Sequence, residues 1–205
     1  MIAALYVETG GCYFDLPGVD PWDIERDARR YAGPWAVVAH PPCSRWCQLA
    51  PINHKRYGHR VGDDGGCFAA ALEAVRTWGG VLEHPAYSYA WGAFRLARPK
   101  RLRWLYDGRG WVTEVSQNSY GHRASKRTWL YYVGRTAPPP LDWRADPPQA
   151  QISWCKNHGN SELPRMSKTV AARTPDAFRD LLLALARVSR TACQDERTAM
   201  TIALD

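Results

Sequence analysis

No stretch of this chain is apolar for long enough to span a bilayer. The first residues, Met1 to Val7, lack the basic n-region of a secretory signal and read as a strand instead. The expected setting is therefore a cytoplasm, with no membrane partner. No internal repeat is visible. The six cysteines, at positions 12, 43, 47, 67, 155 and 193, show no dense spacing pattern, so reduced thiols are expected rather than a disulfide framework. Acid is in short supply: 20 Asp and Glu face 27 Lys and Arg, a net charge of +7. That excess favours an acidic partner, nucleic acid first, although solubility alone would also account for it.

What is present suits an α/β fold. The 205 residues are 45% hydrophobic, enough for one domain over residues 1–190 with a tail at 191–205. Strands are expected at 2–7, 35–39, 81–83, 111–116 and 128–133. Helices are expected at 21–32, from Asp63-Asp64 to Gly79-Gly80, and from Thr174-Pro175-Asp176 onward, the last with Phe178, Leu181, Leu182, Leu185 and Val188 as its apolar stripe. Residues 48–66 read as a loop, and 137–165 as a proline-rich irregular segment. Strands alternating with helices predict a three-layer, mostly parallel, Rossmann-like sheet ending in a C-terminal helix.

The most informative segment runs Ala39-His40-Pro41-Pro42-Cys43-Ser44-Arg45-Trp46. Two prolines stop the strand at 35–39, because proline cannot donate to a ladder. Cys43 then sits beyond a strand's carboxyl end, where open α/β sheets place their ligands. Glu83 ends the next strand, and Tyr120-Gly121-His122-Arg123-Ala124-Ser125-Lys126-Arg127 precedes another. In a parallel sheet the three pieces are expected to share one crevice. A thiolate, a carboxyl group and a cation together suit addition of sulfur to C6 of a pyrimidine. The carboxyl group would hold N3 and the exocyclic group, and the cation would support the thiolate. Structural roles are open to the same residues: a core cysteine, a strand-end acid paired with an arginine, a solvated basic turn.

Zinc fits less well. Cys43 and Cys47 enclose three residues rather than two, no His-x-Glu precedes them, and Cys155-Lys156-Asn157-His158 lacks a matching second pair. No metal is expected. His40 is expected to shape the turn beneath the site, and the basic-aromatic stretch 91–106 to contact DNA or cover the sheet.

These pieces resemble the cytosine-C5 DNA methyltransferases, and more closely the short bacteriophage proteins usually described as DNA methylases. The resemblance rests on Ala39 to Cys43, Leu82-Glu83-His84-Pro85, Tyr120 to His122, Lys126 to Leu130, Ser167-Lys168-Thr169 and Arg173-Thr174-Pro175, and covers roughly residues 36–190. It implies Cys43 as nucleophile, Glu83 as base-holder and Lys126 and Arg127 as catalytic cations. It also implies Pro42, Arg45, Trp46, His84, Pro85 and Arg123 around a flipped base in DNA, with S-adenosylmethionine as donor. Gly10, Gly11, Asp20 and Thr174 are the cofactor-binding candidates. The chain departs from the family in three places: Lys126-Arg127-Thr128 replaces Arg-x-Arg, His84 replaces the Asn after the glutamate, and no large target-recognition domain follows residue 134. Residues 8–34 leave room for one comfortable crossover, so a shortened N-terminal half is expected. Two further readings stay open: hypermodification of a thymine or hydroxymethylpyrimidine without that cofactor, and a non-catalytic DNA-binding relic. Nothing in the sequence fixes the oligomeric state.

Overall fold

A computed structural model describes residues 1–152 and 162–189. The predicted tail and the Cys155 to His158 segment lie outside the described residues, as does part of the proline-rich stretch. In chain order the strands are β1 (Ile2–Leu5), β2 (Val19–Trp22), β3 (Ala36–Ala39), β4 (Gly80–Pro85), β5 (Leu105–Tyr106), β6 (Trp111–Ser116), β7 (Arg127–Val133), β8 (Gln151–Ile152) and β9 (Arg165–Met166). The helices are α1 (Ala50–Tyr57), α2 (Cys67–Trp78), α3 (Tyr89–Ala93), α4 (Lys168–Ala172) and α5 (Asp176–Ser189).

Seven strands form one mixed, mostly parallel sheet in the order β2-β1-β3-β4-β7-β6-β5, and β8 pairs with β9 apart from it. The first four strands of that order run parallel. The remaining pairs, β4 with β7, β7 with β6 and β6 with β5, are antiparallel. The two interior strands of the parallel half that read as continuous apolar runs, Ile2–Leu5 and Ala36–Ala39, are buried throughout, as burial on both faces requires.

Each face of the sheet has its own core. Val37, Ala39, Leu82, Trp129 and Tyr131 pack with Phe68, Leu72 and Val75 of α2. Ala36, Val38, Val81, Leu130 and Tyr132 pack with Phe178, Leu182 and Leu185 of α5. Burying each of those α5 side chains contributes about 2 kcal/mol. Gly80 joins α2 to β4 where no side chain fits: its φ is +119°, and a Cβ would lie 1.9 Å from the Val37 carbonyl oxygen.

Several sequence expectations need correction. The helix expected at 21–32 is replaced by β2 and a short 3-10 turn at Ala28–Arg30. Pro21 is tolerated because β2 is an edge strand, with β1 as its only partner among the described residues. Residues 8–34 therefore hold two crossovers rather than one. The first packs Tyr13 into the α5-side core, and the second packs Ala28 into the α2-side core. The loop expected at 48–66 contains α1, with proline in its first turn and Gly58 as its left-handed cap. The strand at 81–83 extends to Pro85 because β7 pairs along its whole length. On α5, Leu183 and Ala186 are buried while Val188 is 44% exposed, so the apolar stripe is offset from the one expected.

Candidate active site

The site grows from a strand-direction effect. A turn preceding a parallel strand would lie at the opposite rim from Cys43 and Glu83. Strand β7 is antiparallel to β4, so its beginning lies beside the end of β4, with Thr128 opposite Pro85. Thus the expected meeting of Cys43, Glu83 and Lys126 occurs, but through an antiparallel pairing rather than a parallel one.

Alternation along the strands then sorts neighbours. Glu83 lies opposite Leu130 and shares the α5 face; His84 lies opposite Trp129 and shares the α2 face. Glu83, whose side chain is 13% exposed, is held at both oxygens. His40 Nδ1 lies 3.0 Å from Oε2, and Gln117 Nε2 donates to Oε1 at 3.3 Å and to Thr128 Oγ1 at 2.9 Å. The Tyr13 hydroxyl lies 2.8 Å from His40 Nε2. A carboxylate only accepts, so a singly protonated His40 donates from Nδ1 and accepts the Tyr13 proton at Nε2. Burial pushes the Glu83 carboxyl up, but the His40 hydrogen bond, aided by the nearby Lys126 ammonium, outweighs it and holds it below its usual range. Burial pulls the Lys126 ammonium down, partly offset by Glu83 and Cys43; its Nζ donates to the Ala172 carbonyl at 3.3 Å.

The backbone after β3 places Cys43. The His40 amide still donates to Leu5, Pro41 and Pro42 end the ladder, and the Cys43 carbonyl accepts the Trp46 and Cys47 amides at 2.9 and 2.8 Å. The Cys43 side chain is unpaired and partly exposed. Its thiol is pushed up to about 11, chiefly by burial and further by Cys47 and Glu83, with Lys126 opposing. The expected standing thiolate is thus replaced by a neutral thiol at pH 7, because burial outweighs one ammonium group.

Other predicted residues lie elsewhere or play structural parts. Arg127 is on the α2 face, where Nη2 and Nε meet Glu114 Oε1 at 2.6 and 2.8 Å and the guanidinium covers the Tyr87 ring at 4.8 Å. His84 is wholly buried against Phe68 and Trp91. Neither of its ring nitrogens makes a hydrogen bond, though the Pro41 and Pro42 carbonyls lie close enough to favour its protonated form; burial dominates and lowers it to about 4. Trp46 packs between Phe68 and Phe94 and donates to Asp64 at 2.7 Å, so it supports the turn from below instead of meeting a ligand. Pro42 and Arg123 are exposed, and Arg45 and Pro85 are partly exposed at the same rim.

The cofactor candidates lie after β1, within β2 and just before α5. Gly10 sits at φ +66° with open space around it, and Gly11 is crowded by the Glu8 carbonyl. Asp20 is committed to Arg26 at 2.5 Å and to Trp22 Nε1 at 2.8 Å. The acid that does lie just past the end of β2 is Asp23, closed by the Thr9 hydroxyl at 2.8 Å and by the amides of Glu25 and Arg26. Thr174 lies just before α5, partly exposed. Tyr13 and Gln117 carry no local pattern that marks them in the sequence; His40 shapes the turn beneath the site, as its place before Pro41 suggests, and also bonds Glu83, which no local pattern marks. Among the described residues no three His, Cys, Asp or Glu side chains gather as a metal would need. No helix among them is long and apolar enough to cross a membrane. No family model matches the chain, and no curated protein matches it at a significant level.

Proposed function

We propose that the protein modifies a pyrimidine at C5, in DNA, through a covalent adduct between Cys43 and C6. The observation that carries this reading is the convergence of Cys43, Glu83 and Lys126 at the ends of β3 and β4 and the start of β7. They are close enough for Glu83 and Lys126 to shift the Cys43 thiol in opposite directions. The sheet order adds support. From β1 the chain turns to β2 on one side and β3 on the other, which makes a switch point of the kind where Rossmann-like sheets hold ligands.

In this reading a neutral thiol is an advantage until substrate arrives. Cytosine enters with N3 as the proton acceptor, and in uracil or thymine, where N3 carries a hydrogen, O4 takes that part; sulfur adds to C6, and the thiol proton passes to that acceptor by way of Glu83. His40 and Gln117 fix the carboxylate for that relay, and Lys126 balances the charge that develops. C5 then carries the electron pair. The base reaches the thiol flipped out or in single-stranded DNA. Net charge of +7 suits that polyanion.

The donor is a separate matter. The family resemblance implies S-adenosylmethionine, which would bring a methyl cation equivalent. Asp20 is neutralised by Arg26, and Asp23 is closed by Thr9, so the residues present do not fit that group and no step is derived through it. This misfit favours a second reading, in which the same thiol chemistry joins another group to the 5-position of a phage base. Titration with the demethylated cofactor separates the two: binding restores the methyltransferase, and none at millimolar ligand leaves the second reading.

The shared step has a test that needs no donor. Addition at C6 lets C5 exchange its hydrogen with solvent. DNA carrying deuterium at C5 of cytosine or uracil is expected to lose it with the wild-type protein and retain it with Cys43→Ser. Retention with the wild type on both bases would sink the enzyme reading and leave a DNA-binding relic.

A further inference from the structure

The α2 side of the molecule carries an open cavity of about 430 Å³, lined by Arg76, Phe94, Arg95, Asp107, Gly108 and Arg109. It is remote in kind from the Cys43 crevice, since the Tyr131 side chain behind it points to the face opposite Glu83. Three guanidinium groups face one carboxylate there. Asp107 is already employed: its Oδ1 accepts the Arg109 and Gly110 amides at 3.0 and 2.9 Å and closes the β5–β6 turn. Among the described residues no ion pair engages Arg76, Arg95 or Arg109.

The walls are built rather than incidental. Arg76 Nε donates to the Tyr131 hydroxyl at 3.4 Å, and its guanidinium lies 5.7 Å from that ring's centre. Phe94 is anchored in the core against Phe68 and Trp46, with ring centres at 5.0 and 5.9 Å. Arg95 follows directly at φ +54°, a left-handed conformation that non-glycine residues rarely hold without cause. The backbone there turns a cation toward the cavity mouth.

We propose that this pocket binds a phosphoryl group carried by a nucleotide or a polynucleotide. Planar guanidinium forks match phosphate oxygens two at a time, and arginine clusters with an aromatic wall suit a phosphate attached to a sugar and base. The volume exceeds what a bare phosphate fills, which leaves room for the attached sugar. The claim does not rest on Cys43 chemistry.

The full chain is titrated calorimetrically with pyrophosphate and with thymidine 5′-monophosphate, and a labelled DNA duplex is followed by anisotropy at fixed salt. Arg95→Gln/Arg109→Gln is the comparison; both side chains are exposed, so folding is retained and is checked by thermal melting. Pyrophosphate is expected to bind the wild type and to lose about tenfold or more in affinity with the double variant, the loss of two charged hydrogen-bonding groups. Loss of monophosphate binding with duplex affinity unchanged identifies a free nucleotide; parallel loss identifies a polynucleotide. No binding of any probe by the wild type, or equal pyrophosphate affinity in the variant, overturns the proposal. Cys43→Ser is expected to bind pyrophosphate like the wild type, so this proposal and the enzyme reading fail separately.

Discussion

Glu83 and Glu114 are both carboxylates at the rim end of the sheet, each with a cation and further donors, yet they are built for opposite ends. Glu114 is 5% exposed, and both its oxygens are filled, one by Arg127 and the other by Trp129 Nε1 at 2.9 Å. Nothing about it can change without loss. Glu83 is held by neutral partners, His40 and Gln117, with Lys126 near but bonded to a backbone carbonyl instead. A carboxylate whose nearest cation is left free to respond is poised for chemistry; one closed by a direct ion pair is a fastener. The lesson is that the partner's freedom, more than burial, separates the two.

The strongest way to break this contrast is a pair of matched substitutions. Glu83→Gln is expected to slow C5 exchange by about a hundredfold to a thousandfold, as losing a preorganised stabilising group does, and to cost about 1 kcal/mol of stability, since the amide oxygen still accepts from one of the two donors. Glu114→Gln is expected to leave the exchange rate within about threefold and to cost about 2–3 kcal/mol in urea unfolding, since it strands Arg127. Equal effects of the two on both measurements would erase the distinction.

His84 sharpens the same comparison through pH. It sits next to Glu83 in sequence but in the dry aromatic core, and burial lowers it to about 4. Between about pH 4 and its ordinary value near 6.5 the unfolded chain binds a proton that the folded chain refuses. Stability therefore rises with pH through that window and falls as pH drops. The span corresponds to about 3 kcal/mol. Urea midpoints from pH 7 to pH 4 should follow that slope, and His84→Phe, which keeps the ring and removes the titration, should reduce it, the remainder belonging to His122, whose imidazole burial also lowers. The Glu83 carboxyl, held low, adds acid lability only below the unfolded carboxylate value, so the two contributions separate along the pH axis. An unchanged slope in His84→Phe would show that another group titrates there.

Much of this site was legible in the chain. Two prolines after an apolar strand, a glutamate ending the next strand and a basic turn before β7 named Cys43, Glu83 and Lys126. What could not be read was direction and parity. Nothing local says that β7 runs antiparallel, and the antiparallel start is what delivers Lys126 to the rim. Nothing local says which of Lys126 and Arg127, or of Glu83 and His84, turns to which face, because a shift of one residue in register exchanges them. Tyr13 and Gln117 come from a crossover and a 3-10 turn, where no period marks a side chain. The edge strand β2 was hidden by Pro21, which reads as a helix start and is tolerated in a strand only at a sheet's edge.

The smallest expected effect tests whether Lys126 acts on Cys43 at all. Burial raises the thiol to about 11, and Lys126 is the side-chain charge that opposes the rise. Removing it in Lys126→Met should raise the thiol further and reduce the thiolate fraction at a given pH. Iodoacetamide reacts with the thiolate, so the Cys43 alkylation rate at pH 8.5 should fall about threefold to tenfold, read by peptide mass spectrometry. Cys47, four residues away and partly exposed, serves as the internal reference. Arg127→Met is the matched control from the other face. Its charge is spent on Glu114, and it should leave Cys43 alkylation unchanged. If both variants slow Cys43 equally, the field at the thiol is that of the whole basic turn, and the assignment of Lys126 alone to the crevice fails. If only Lys126→Met does so, one residue of parity along β7 separates the cation that tunes the sulfur from the cation that holds the sheet together.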